Sequence, residues 1–424
     1  MSLNLIGLII VLIGVYISIK RTDISLFTYF FITSILTTSA VLTVGDNSIT
    51  VPHFMALIFC IRIVYDLYNN KLVLYNLPKS VYVYILYCIA VSIIGVIVFI
   101  MPNRIDALKH TSITSMIIQL VYLIMSISTL WGVLILIRNK KIGIKEFDKA
   151  LNLASIFVFM LAIFQLINIE LFNKFFVTRQ GQAIIQYLAS GKVRITTTFN
   201  EPSMLAVFLI LALTYNVFKV CMNYSNNKNT LYYILGYIIV GFLSRGSTFV
   251  LALGIISLIV LYFIYKNLSK KQFCYIILGF SVLILIVNFI GNNIIISEVM
   301  NLINKALGHG VSGSERLSSL INMIKLSFKS ILIGFGYGAI RSNDLFSTLL
   351  VNTGIIGVVL FIKLIYDSIE FSDKENEKKV GIKVAILLTI VMMFISVPEP
   401  YFAFMWIFIA FGLKSNEYSD KILS

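Results

Sequence analysis

Charge is scarce in this chain: Asp, Glu, Lys and Arg make up 12% of its 424 residues. A soluble domain carries about 25%, so there is too little polar surface to solvate a globule of this size. Cysteine is nearly absent. Cys60, Cys88, Cys221 and Cys274 lie in or at the ends of apolar stretches, with no CxxC or other metal spacing, and read as small buried hydrophobes. Three histidines, none in an HExxH pattern, give no zinc signature. No low-complexity tract, no internal repeat and no separate soluble domain is visible. The first apolar run has no small-residue cleavage site and more spans follow it, so it is expected to stay as a membrane helix.

What is present is apolar: 59% of the chain, arriving in blocks of 15 to 25 residues that suit helices crossing a hydrocarbon core of about 30 Å. A β-barrel would show alternating segments of about ten residues, and these runs are continuous. The expected fold is an all-α polytopic integral membrane protein with about 12–13 transmembrane helices and two longer external loops. Spans are expected near 3–19, 24–44, 53–69, 81–101, 112–137, 150–170, 201–222, 231–244, 247–265, 273–290, 345–366 and 381–397. A short run at 401–413 follows the turn signal Pro398-Glu399-Pro400. The chain thus divides into N-terminal spans (1–170), a first external loop (171–200), central spans (201–290), a long second loop (291–344) and C-terminal spans with a tail (345–424).

The net charge of +15 follows from topology and points to no nucleic acid. The segments at 20–23, 62–80, 138–149, 219–230, 266–271, 363–383 and 414–424 hold 22 Lys and Arg, and the intervening loops hold 12. The richer set is expected on the cytoplasmic side, which puts both long loops outside. Six of the nine arginines fall on that outer side, Arg104, Arg179, Arg194, Arg245, Arg316 and Arg341, against six of 25 lysines. The guanidinium fork binds phosphate bidentately where lysine acts as a point charge, so outer arginines point to a phosphate or diphosphate ligand. The alternative is pairing with lipid headgroups or with outer carboxylates such as Glu170 and Glu298.

Three segments have the chemistry to form a site. In Arg194-Ile195-Thr196-Thr197-Thr198-Phe199-Asn200-Glu201-Pro202-Ser203, Pro202 suits a first helical turn, Asn200 a cap, and Glu201 the positive end of a helix dipole. Glu201 is equally placed as a base or a contact for sugar hydroxyls. Arg245, in Leu243-Ser244-Arg245-Gly246-Ser247, stands at a tight turn between two apolar runs, where an ionisable group is costly unless it works. In the long loop, Ser312 and Glu315 have capping-box spacing. Beyond them Leu317, Leu320, Ile321, Ile324 and Phe328 recur at helical spacing, the pattern of a helix lying on a membrane surface. His309, in a Gly-rich stretch, reads as solvated. Gly334-Phe335-Gly336-Tyr337-Gly338 is a turn whose backbone could approach a ligand, followed by Arg341, Asn343 and Asp344 and by Asn352-Thr353-Gly354-Ile355-Ile356-Gly357.

Taken in order, Phe199-Asn200-Glu201-Pro202-Ser203, Ser244-Arg245-Gly246, Glu315-Arg316, and Gly334-Phe335-Gly336 leading to Asn352-Thr353-Gly354-Ile355-Ile356-Gly357 resemble the O-antigen and capsular polysaccharide repeat-unit polymerases, within the O-antigen ligase and polymerase superfamily. The resemblance covers roughly residues 190 to 360. It implies glycosyl transfer at the outer face of the cytoplasmic membrane, with a growing chain on undecaprenyl diphosphate moved to a new lipid-linked repeat unit. Arg245, Arg194 and Arg316 would hold the diphosphate, Glu201 and Asp344 are candidate bases, and Arg179 and Arg341 would touch substrate. No cofactor is implied. With no metal-binding cluster in the sequence, arginine would stand where many sugar-nucleotide transferases use a metal. A chain-length regulator is the partner that the family implies, besides the membrane lipid. Ligases of the superfamily carry a His-Asn-like pair where this chain reads Arg341-Ser342-Asn343-Asp344, which favours polymerase over ligase. A transporter or flippase, the rival outside enzymes, often shows repeated halves and broken helices at midplane; this chain has neither two matching halves nor charged residues deep in most spans. A purely structural or signalling membrane protein would leave the outer arginines unexplained.

Overall fold

The computed structural model describes residues 2–44, 47–100, 113–179, 194–222, 228–267, 311–369 and 377–413. The expected span at 273–290, Arg104, Glu298, His309 and most of the two long loops lie outside these residues. The protein is an all-α polytopic membrane protein. Its elements run β1 (Ser2–Leu3), α1 (Leu5–Lys20), α2 (Asp23–Thr33), β2 (Ala40–Val44), β3 (Asn47–Thr50), α3 (Val51–Tyr68), α4 (Lys79–Gly95, continued by a wider π turn to Ile100), α5 (Ile113–Arg138), α6 (Ile144–Ile167), α7 (Ile169–Phe176), α8 (Pro202–Cys221), α9 (Lys228–Ser244), α10 (Ser247–Asn267), α11 (Val311–Ser327), α12 (Leu345–Ile369), α13 (Glu377–Ser396) and α14 (Ala403–Gly412). Among the described residues six helices are long and apolar enough to cross a membrane, and six shorter ones are also apolar.

Helix α8 is the axis of the bundle. It is apolar around its whole circumference, and every residue from Pro202 to Lys219 is buried beneath α9, α10, α13 and α14. Peripheral helices instead keep an exposed apolar face, such as Leu86, Ile93 and Ile97 on α4 and its π turn, the pattern of a helix with one side turned to lipid. Polar side chains hold the helices to each other: Ser155 of α6 shares a hydrogen bond of 2.5 Å with Tyr237 of α9, and Asn216 of α8 reaches the same phenol at 3.5 Å. Near the start of α6 and the end of α8, Lys219 pairs with Asp148 at 2.9 Å, and Tyr215 donates to the same carboxylate oxygen at 2.8 Å. These two ends therefore share one face of the bundle. That agrees with the alternation read from the basic loops.

Three expectations need correction. The span at 24–44 is not one helix. Thr33 and Ser34 turn their hydroxyls back onto the carbonyls of Tyr29, Phe30 and Phe31, competing with the helical ladder, and the chain leaves α2 for the antiparallel sheet β1-β2-β3. The short run at 401–413, whose crossing the sequence leaves open, is not among the six helices long enough to span. Helix α14 has 10 residues, all of them buried, and at 1.5 Å per residue is about 15 Å long. Helix α11 begins at Val311, one residue ahead of Ser312, so Ser312 is not its cap. Leu317, Ile321 and Phe328 are exposed as an interfacial helix requires.

The third concerns the glycine-rich turn. Helix α12 is broken at Gly354, whose φ of 62° and ψ of −174° belong to a region that only glycine enters readily. The segment 331–340 lies against the break and takes up its backbone groups. Phe335 and Gly336 donate to the carbonyls of Val351 and Asn352 at 2.9 Å each, Ile355 donates to Ile331 at 2.8 Å, and the Asn352 amide both accepts from and donates to the Ile340 backbone at 2.8 and 2.7 Å. Tyr87 of α4 donates to the Thr353 carbonyl at 2.8 Å. Non-helical backbone at membrane depth survives only where protein satisfies it. A Cβ on Gly334 would stand 2.5 Å from the backbone of Asn352 and Thr353, so this backbone approaches α12 rather than an open surface.

Candidate functional site

The ends of α2, α6, α9 and α13 and the starts of α3, α8, α10 and α12 meet at one face of the bundle, joined by a threonine-rich knot. Gln165, buried near the end of α6, accepts the N–H groups of Thr196 and Thr197 at 3.1 and 2.8 Å and donates to the Thr196 hydroxyl at 3.3 Å. This clamp holds Thr197 at a φ of 49°, a conformation that costs a β-branched residue energy unless its surroundings impose it. Thr198 donates to the Ile35 carbonyl at 2.6 Å, and its own carbonyl accepts from the Thr37 hydroxyl at 2.6 Å and the Thr38 N–H at 3.0 Å. The Thr38 carbonyl in turn accepts the N–H groups of Thr178 and Arg179 at 3.1 and 3.0 Å. The described ends of the 171–200 loop are thereby tied to the turn between α2 and β2, a contribution of the N-terminal half that sequence reasoning did not anticipate.

Two groups of charged residues hang on this knot. The first lies where α8 begins. Glu201 is its N-cap and Pro202 its first residue, so the cap stands one residue later than Asn200. The Glu201 carboxylate accepts from Ser203 at 3.1 Å and makes no ion pair among the described residues. Alongside, the turn ending α9 packs on Pro202 through Gly246, and Ile195 donates to the Leu243 carbonyl at 3.3 Å. Arg245 occupies this turn at a φ of 51°. Its carbonyl accepts from a terminal guanidinium nitrogen of Arg194 at 3.3 Å. One nitrogen of the Arg245 guanidinium is itself buried without a hydrogen-bond partner among the described residues, as is the Thr197 hydroxyl. A buried donor left unmade costs about 1–3 kcal/mol, and more when it is charged. Two arginines here share a site, and the Arg245 guanidinium keeps a donor without a partner among the described residues, which is the arrangement an anion would complete.

The second group lines a cleft of about 50 Å³ between α3, α5, the strand-like segment ending at Arg179, and the turn before α14. Its polar groups include His53, Gln119, Tyr122, Arg179, Glu399 and Tyr401. His53 lies 2.8 Å through Nδ1 from the Thr50 hydroxyl and stacks on Tyr122 with ring centroids 4.2 Å apart and 15° between planes. Arg341 reaches Glu399 at 3.0 Å, so the carboxylate that it meets is neither Glu170 nor Glu298. Burial, followed by the charge of Glu399, pushes the Tyr401 phenol well above its ordinary range, so it remains a neutral O–H donor.

The structure therefore joins Arg194 with Arg245 beside Glu201, and brings Arg179 and Arg341 together around Glu399. Asp344 has a different position. One of its carboxylate oxygens accepts the Ser347 N–H at 2.7 Å, and the other accepts the Ser347 and Ser342 hydroxyls at 2.5 and 3.4 Å. It caps α12 from a buried position with its lone pairs engaged. Arg316 belongs to α11, and its side chain is outside what the structure describes. Among the described residues no three His, Cys, Asp or Glu side chains gather as metal ligands would. His53, Tyr122, Gln165, Glu399 and Tyr401 were missed from the sequence. Glu399 had a signal, being the one acid between residues 384 and 413. His53 had a weaker one, as a histidine following a proline at the start of an apolar run. No family model, no curated protein and no solved structure matches this chain.

Proposed function

We propose that this protein is a membrane glycosyltransferase that polymerises undecaprenyl-diphosphate-linked oligosaccharide repeat units into O-antigen or capsular polysaccharide at the outer face of the cytoplasmic membrane. The observation that carries the reading is the junction of Arg194 and Arg245 at the start of α8, with a buried guanidinium nitrogen of Arg245 left without a partner. Glycosyl transfer from a lipid diphosphate develops negative charge on the leaving group, and fixed cationic donors in a dry setting stabilise it. Both lipid tails would reach such a site sideways through the membrane, and Glu201, beside the arginines, would hold sugar hydroxyls. In a strain lacking the chromosomal gene, Arg194→Ala and Arg245→Ala are each expected to leave surface glycan short and sparse at normal protein levels. Full polymer length and amount from both variants would sink the diphosphate assignment.

One observation favours a second reading, transfer of finished polymer to lipid A–core by an O-antigen ligase. The sequence near Arg341 lacks a histidine, but the cleft lined by Glu399, the carboxylate that Arg341 pairs with, is also lined by His53. The two readings part on the product left when the gene is deleted. Loss of a polymerase leaves single repeat units, and loss of a ligase leaves long polymer on the lipid carrier.

A further inference from the structure

The proposed reaction needs a group to receive the proton of the attacking hydroxyl, and the two carboxylates first considered for it are poorly placed. Asp344 is buried with both oxygens accepting hydrogen bonds in the cap of α12. Glu201 caps α8, and its carboxylate is engaged by the Ser203 hydroxyl. The cleft offers a better group. His53 is held from behind by Thr50 at Nδ1 and fixed in plane by its stack on Tyr122, while Nε2 makes no hydrogen bond among the described residues. Around it stand groups of the kind that recognise a sugar: the Arg179 cation, the Glu399 carboxylate oriented by Arg341, the Gln119 amide, and the Tyr122 and Tyr401 rings. Aromatic faces take the apolar face of a pyranose, and charged or amide groups take its hydroxyls.

We propose that this cleft receives the acceptor sugar of the incoming lipid-linked unit and that His53 Nε2 takes the proton from its attacking hydroxyl. The inference rests on the glycosyltransferase reading above. In the step itself the acceptor oxygen forms a bond to the anomeric carbon of the donor. The bond from that carbon to the diphosphate oxygen breaks, and its electron pair leaves with the diphosphate toward Arg194 and Arg245. The hydroxyl proton passes to Nε2 and then to water. Hydrogen bonds through Thr37, Thr38 and Thr198 tie the backbone at Arg179 to the segment that leads into α8.

The test uses spheroplasts of the deletion strain, in which the cell's own lipid-linked repeat units have accumulated, expressing tagged full-length variants at matched levels. His53→Ala and the size-conserving His53→Gln are each expected to lower polymer synthesis by about 100-fold, the usual scale for loss of a positioned base. Added imidazole, which can enter the space vacated in His53→Ala, is expected to restore a measurable part of that loss and to do nothing for His53→Gln. A full ladder from His53→Gln at normal protein level overturns the proposal, and so does a loss in His53→Ala that imidazole leaves untouched. Failure of this inference alone would show as normal polymer from the His53 variants in a strain whose ladder collapses on deletion. An unchanged ladder on deletion would instead remove the glycosyltransferase reading itself.

Discussion

Two regions rich in conspicuous sequence motifs differ in their hydrogen-bond accounts, although the first also buries the Tyr337 hydroxyl without a partner among the described residues. In the segment 331–357 the polar groups around the broken helix are largely engaged with one another: the Asn352 amide clamps Ile340, Tyr87 holds the Thr353 carbonyl, and Phe335 and Gly336 pair with the backbone of α12. At the junction of Arg194, Thr197 and Arg245, a guanidinium nitrogen and a hydroxyl are buried with nothing to bind. Both regions contain strained backbone, Gly354 in one and Thr197 and Arg245 in the other. Strain that is fully compensated by packing builds structure. Strain beside unspent donors is the form that a ligand site takes.

The comparison makes graded predictions. The largest effect is expected from Gly354→Ala. Its Cβ would meet the Leu332 carbonyl within bonding range and the residue would be held in a glycine-only conformation, so the protein should fail to accumulate or should lose about 3 kcal/mol or more of stability. Normal accumulation and an unchanged Tm in detergent would show that the break in α12 is not needed. Next comes Arg245→Lys, which keeps the charge but loses the fork. Polymer synthesis should fall by about 10- to 100-fold with Tm unchanged, and a normal ladder would show that a point charge suffices. Asp344→Ala should lower stability by about 0.5–2 kcal/mol, the range for loss of a helix cap, while polymer made per molecule stays the same. A selective loss of synthesis would restore Asp344 as a chemical group. Arg341→Ala should be mildest for stability, at or below about 1 kcal/mol, because its pair with Glu399 is half exposed on the arginine side.

The membrane fold was legible because hydrophobic runs report burial in lipid directly, and α3 to α6, α8 and α12 fall close to the expected spans. Helix α2 misled because an apolar run gives length but not path. Residues 34–44 are as apolar as a span, yet Thr33 and Ser34 end the helix with their own hydroxyls, and the strands that follow take up the backbone. The arginines were legible as a class, since their sidedness differs from that of lysine. Their pairing was not legible, because Arg194 and Arg245 are separated by the whole of α8 and α9, and only packing of the α9–α10 turn on Pro202 unites them. Gln165 and His53 had no local signal. Each becomes notable through what it touches, and those contacts arise from segments far away in sequence.

The most direct measurement is to delete the gene and resolve the cell's surface and carrier-linked glycans by gel. The account predicts that the ladder of chain lengths collapses to core bearing a single repeat unit, with unpolymerised units accumulating on the lipid carrier. An unchanged ladder, or long polymer stranded on the carrier with none attached to core, would contradict it.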